Sequence, residues 1–281
     1  MRTREIHKIR NKKMKDKRGN SRFETKRARS NLLVSKRSQL AIFIIVALLI
    51  VVVALIIFLL WRRPTSGTIT QDPQSYIETC IQENAEQAIN ILSEQGGDIN
   101  PELNINYMGG NYTYLCYNQG NYHPCINQRP MLIEHLQQEI TDYVEPKVNQ
   151  CFQNLKTELE DRGYEISMAG ATINTELQTK RAIVSVKRKF VMTRGRETKE
   201  FENFQAKIAT PLYELAEISM EIVNQEAEFC NFENLGFMII YPEYDIRKIN
   251  YEGNLIYTVT DLQTSHSFKF AVRTCVLPAG L

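Results

Sequence analysis

Residues 40–60 read LAIFIIVALLIVVVALIIFLL, 21 consecutive residues without a polar side chain. Coiled as a helix at 1.5 Å per residue, they reach about 31 Å, which matches the ~30 Å hydrocarbon core of a bilayer. One segment cannot close a barrel, so a helix is the spanning form that satisfies its backbone in lipid. The run is too long for a secretory signal, whose apolar part is about 7–15 residues and ends at a small-residue cleavage site. Trp61-Arg62-Arg63-Pro64 follows instead, an aromatic and two arginines suited to an interface. The sequence therefore predicts a single-pass membrane protein with one transmembrane helix, which with its flanks occupies 38–63.

Charge is sorted to either side of that run. Residues 1–37 carry 15 Lys and Arg against 3 Asp and Glu, whereas residues 64–281 carry 17 against 29. The overall formal charge of +2 hides this division. By the positive-inside rule the basic segment is expected in the cytoplasm and the acidic part outside the membrane. The basic segment has one aromatic residue, Phe23, and so offers no stacking platform for nucleic acid. Its expected partner is the lipid bilayer, through anionic headgroups. All six cysteines (Cys80, Cys116, Cys125, Cys151, Cys230 and Cys275) follow the apolar run. An even count on the translocated side suggests disulfides.

Periodicity organises the exported part. A helix is expected over 73–95, with Ile77, Cys80, Ile81, Ala85, Ala88, Ile89 and Leu92 on one face. Asp72 and Pro73 suit its start and Gly96-Gly97 its end. A loop-rich stretch over 98–130 follows, with room for strand-like pieces such as Tyr112 to Tyr117. Two helices, 131–144 and 146–162, are separated at Pro146, which disfavours helix at the preceding residue. The period then changes to two, with strands over 182–191 and 201–209. A helix begins at Pro211, and a meander over 246–274 ends the chain. The expected fold class is α+β: one N-terminal transmembrane helix, then an exported domain of about four helices and an antiparallel sheet. The expected parts are a basic cytoplasmic tail (1–37), the transmembrane helix and flanks (38–63), a helical, loop-rich part (64–163), and an antiparallel sheet with one helix (164–281).

Cys80 and Cys151 both lie on apolar helix faces that must pack together, so a bridge between them would staple two helices. Cys116 and Cys125 can close one loop, which leaves Cys230 for Cys275. Six cysteines allow fifteen connectivities, and this pairing ranks first among them. A zinc site from Cys116, Cys125, His123 and His135 has suitable ligand types, but its spacing matches no zinc knuckle and exported thiols oxidise. No metal or other cofactor is therefore expected. His135, beside Leu136, reads as a partly buried surface residue. No nucleophile elbow, zincin helix or phosphate loop occurs, no catalytic residues are assigned, and an enzyme is not expected. Asn111-Tyr112-Thr113 is a glycosylation sequon. Tyr107, Tyr112, Tyr114, Tyr117 and Tyr122 form a candidate recognition loop, or else pack over the local disulfide.

The segment Lys36-Arg37-Ser38-Gln39-Leu40-Ala41-Ile42-Phe43 resembles the processing site of archaeal type IV pilin-like precursors. The resemblance implies a cut after Ser38, with Arg37 as the charged and Ser38 as the small position, and a mature chain starting at Gln39. The same basic-Gln-Leu-Ala-Ile-Phe start, Cys80-Ile81-Gln82-Glu83, Glu94-Gln95-Gly96-Gly97 and the cysteine-terminated last strand together resemble a group of archaeal single-pass membrane proteins. That resemblance implies the architecture and carries no activity. The expected function is a membrane-anchored envelope protein with a disulfide-stabilised extracellular domain for structural or binding roles. Its partner would be an envelope protein or a second copy. A processed pilin-like filament subunit and a membrane-tethered hydrolase are the alternatives.

Overall fold

The computed structural model describes residues 45–55 and 72–275. They fall in two units, Met1–Ser66 and Gly67–Leu281. In the first, α1 spans residues 45–55 and exposes Ile45, Leu48, Leu49, Ile50, Val52, Val53 and Leu55. The expected transmembrane helix is corrected here: among the described residues no helix is long and apolar enough to cross a membrane. The eleven described residues of α1 rise about 16 Å, roughly half of the hydrocarbon thickness. The rest of the apolar run, the basic segment 1–37, and Arg37, Ser38 and Gln39 lie outside the described residues.

The second unit begins with α2 (Pro73–Gln95), whose buried residues are Ile77, Cys80, Ile81, Ala85, Ala88, Ile89 and Leu92. Asp72 makes no side-chain cap, and Pro73 opens the helix instead. The helix stops at Gly96, where φ is +80°, and Gly97 donates its N–H to the Leu92 carbonyl at 2.8 Å. A Cβ on Gly96 would lie 3.0 Å from the Lys269 carbonyl and 3.1 Å from the Phe270 Cβ. Glycine is thus required both by the turn and by the strand packed behind it.

The two helices expected around Pro146 are one: α3 runs unbroken over Leu132–Asp161. Pro146 supplies no N–H to the Asp142 carbonyl. A continuous apolar stripe (Leu132, Leu136, Ile140, Val144, Val148, Phe152, Leu155 and Leu159) outweighs that loss by burying one face along the whole length. Then come α4 (Leu212–Phe229) and the short α5 (Asn234–Ile240), which alternation alone did not reveal.

The expected single antiparallel sheet is two sheets. The first joins β1 (Asn104–Tyr107), β2 (Gly110–Tyr117), β10 (Ser267–Arg273), β9 (Asn254–Asp261) and β8 (Tyr244–Tyr251) in that spatial order. A two-residue β3 (Ile126–Asn127) pairs with β2. The β2–β10 pair is parallel, with Tyr114 opposite Ala271. The chain between them is long enough to cross over and return in the same direction. The second sheet contains β4 (Glu165–Met168), β5 (Thr172–Gln178), β6 (Arg181–Arg194) and β7 (Glu197–Ala209).

In this second sheet β7 lines one edge of β6, while β5 and β4 lie end to end along the other: β5 pairs with 181–187 and β4 with 190–193. Arg188 occupies the break between them. Its Nε donates to the Ala169 carbonyl at 2.8 Å, its Nη1 donates to Asn149 on α3 at 2.9 Å, and its guanidinium lies 4.7 Å from the Phe152 ring centre. Phe152 in turn packs edge-on against Phe204 at 5.1 Å, so helix and sheet meet in an aromatic core.

All three cysteine pairs form. Cys80–Cys151 joins α2 to α3, Cys116–Cys125 closes the loop after β2, and Cys230–Cys275 ties the end of α4 to the chain after β10. The domain is disulfide-stabilised, with no free cysteine.

Candidate functional site

The turn at Gly96-Gly97 delivers Asp98 to the first two turns of α3. Asp98 is 5% exposed. Arg129 donates through Nη2 to both of its carboxylate oxygens at 3.2 Å, and His135 Nε2 lies 2.6 Å from Oδ1. Burial pushes the Asp98 carboxyl up. The hydrogen bond with His135 and the charge of Arg129 outweigh burial and hold it below its ordinary value, in the charged form.

One turn along α3, Glu139 stands on the same face as His135, because residues four apart on a helix are neighbours. Glu139 accepts the N–H of Ile99 at 2.9 Å, which pins the turn to the helix a second time. One ligand atom each from Asp98, His135 and Glu139 lies within 4.8 Å of the other two.

An open groove of about 570 Å³ runs from this cluster along α3. Its walls are Ile99, Asn100, Glu139, Asp142, Tyr143, Pro146, Lys147 and Gln150. The Lys147 ammonium sits 4.1 Å from the Tyr143 ring centre. Within one groove the chain thus presents an aromatic ring, two carboxylates, an ammonium and two amides. Such a mixture suits a polar ligand with some apolar surface. A smaller cavity of about 270 Å³ lies beside Cys230–Cys275, with Lys248 and Thr274 in its wall. Lys248 is committed there, donating to Asn231 and to the Phe232 carbonyl, each at 3.1 Å.

The tyrosines of the loop-rich stretch lie mostly in strands, as the strand-like piece expected over 112–117 allows. Tyr107 ends β1 and packs on Tyr251 at 4.9 Å. Tyr112, Tyr114 and Tyr117 belong to β2; Tyr114 is buried, donates to Asn254 at 2.9 Å and packs on Tyr117. Tyr122 is exposed, with φ +68°. Asn111 of the sequon is in β2, where its Oδ1 is buried without a partner. Cys116 and Cys125 are bonded to each other and offer no thiolate to His123 or His135.

No family model, curated protein or solved structure matches this chain.

Proposed function

We propose that Gly67–Leu281 is an extracytoplasmic binding domain at the cell membrane, and that it holds a component of the cell envelope in the groove along α3. The observation that carries this reading is the groove itself, with Tyr143 and Lys147 beside a turn fixed by Asp98, Arg129 and Glu139. Three disulfides support an oxidising compartment. The basic segment 1–37 supports contact with anionic lipid headgroups.

The test is photo-crosslinking in intact cells from a benzoylphenylalanine placed at Gln150. The expected result is a discrete adduct with one envelope component that disappears when Tyr143→Ala and Lys147→Ala are introduced together. No adduct, or an adduct indifferent to those changes, would remove the groove from the function.

A second reading, a pilin-like subunit, is favoured by α1, whose apolar side chains are exposed on every face and would be covered in a filament. The mass of the mature N-terminus tests it: a start at Gln39 supports processing, and an intact 1–37 segment excludes it.

A further inference from the structure

We infer that Asp98, His135 and Glu139 bind a divalent transition-metal ion at the head of the groove, where the metal offers its open positions to an oxygen-bearing group of the ligand. The inference deepens the groove reading, on which it rests for what occupies those open positions.

The ligand atoms come from two elements held rigidly together. His135 and Glu139 project from adjacent turns of α3, within the stretch buried through Leu136 and Ile140. Asp98 is carried by the turn at Gly96, which backs onto the Lys269 carbonyl and Phe270 and does not admit a side chain. The Ile99 N–H bond to Glu139 and the Cys80–Cys151 bridge hold the two elements in register. A metal with ligand bonds of about 2.1 Å and tetrahedral angles separates its ligand atoms by roughly 3.4 Å. The 2.6 Å contact between His135 and Asp98 opens to admit the ion, and separations of up to 4.8 Å close around it.

Charge and chemistry agree with a cation. Two carboxylates face one guanidinium, a formal excess of one negative charge. Arg129 Nη2 reaches both Asp98 oxygens at 3.2 Å, so it can stay on Oδ2 when Oδ1, which also faces His135, turns to the ion. One imidazole with two carboxylates suits zinc or manganese better than magnesium or calcium, which prefer oxygen alone. Glu139 lines the groove as well as the cluster, so the coordination positions left open face the proposed ligand.

The experiment is a titration of the full chain, disulfides oxidised, with Zn²⁺ against a chromophoric chelator, repeated with Mg²⁺. No thiol competes, since all six cysteines are paired. His135→Gln keeps a donor for Asp98 and loses the imidazole; Glu139→Gln keeps an acceptor for Ile99 and loses the charge. Circular dichroism and unfolding midpoints monitor the fold of each variant. The expected result is one Zn²⁺ per chain, weakened about tenfold or more in each folded variant, with weaker Mg²⁺ binding throughout. Zn²⁺ that does not bind, binds both variants as tightly as the parent, or binds no better than Mg²⁺ overturns the assignment.

Tyr143→Ala with Lys147→Ala separates this inference from the groove reading. It touches none of the three ligands and is expected to leave Zn²⁺ binding unchanged while abolishing the crosslink. Zn²⁺ binding without any crosslink retains the metal site and rejects the groove. A crosslink without Zn²⁺ binding does the reverse.

Discussion

Asp98 Oδ1 and His135 Nε2 meet at 2.6 Å across 37 positions of chain. Arg129 sits on the same carboxylate, so charge ties the end of α2 to the start of α3, while the Cys80–Cys151 bridge joins the two helices at their other ends. The folded carboxyl ionises below its ordinary value, and hence below the roughly 3.9 of an unfolded aspartate. The stability it contributes is therefore complete above that unfolded value and is lost as pH falls through the lower, folded one. Urea melts of Asp98→Asn are expected to show a deficit of about 2 kcal/mol at pH 7. The deficit should shrink below about pH 4. A deficit constant with pH would mean that shape rather than charge holds the turn.

Gly96→Ala places a methyl against the Lys269 carbonyl and Phe270 in a backbone conformation that L-residues rarely adopt. A loss of about 2 kcal/mol or more is expected in denaturant melts. Gly163 has a similar φ of +81° but open space around it, so Gly163→Ala is expected to cost only about 1 kcal/mol. Equal losses at the two positions would show that conformation alone, without the contact with β10, sets the cost.

Removing cysteines in pairs should rank the bridges by loop length. Cys80–Cys151 closes a separation of 71 residues, Cys230–Cys275 one of 45, and Cys116–Cys125 one of 9. The chain-entropy relation gives about 4.4, 4.0 and 2.6 kcal/mol respectively. Unfolding midpoints of the three double alanine variants are expected to fall in that order. A largest loss at Cys116–Cys125 would place the effect in native packing instead.

Pro146→Ala gives α3 the N–H it lacks and returns a donor to the Asp142 carbonyl. A gain of at least about 1 kcal/mol is expected by thermal or urea unfolding. Unchanged stability would show that another donor already serves that carbonyl.

Much of the domain could be read from spacing. The apolar positions expected for 73–95 are the buried ones of α2, because one amphipathic helix against a core has only one face to bury. The cysteine pairing was legible for the same reason, since Cys80 and Cys151 follow the stripes by which two helices pack. Pro146 misled because a local preference at Glu145 yields to eight buried side chains along one stripe. The apolar run at 40–60 predicted a spanning helix, whereas the described helix there covers 45–55. The candidate site was the least visible part. Asp98 belongs to no periodic pattern, and its partners are 31 and 37 residues distant. One local signal was present: His135 and Glu139, four apart on an expected helix, put an imidazole and a carboxylate side by side.

The placement of β10 sets a timetable for assembly. It lies between β2 and β9, so Tyr114 on one side and Ile256 on the other both find their neighbour in Ala271. Until that strand is synthesised, β2 and β9 have no hydrogen-bonded link, and the first sheet waits as two open halves. A ribosome stalled shortly before Ser267 would leave two bare edges seeking a partner, the condition that invites pairing between neighbouring nascent chains.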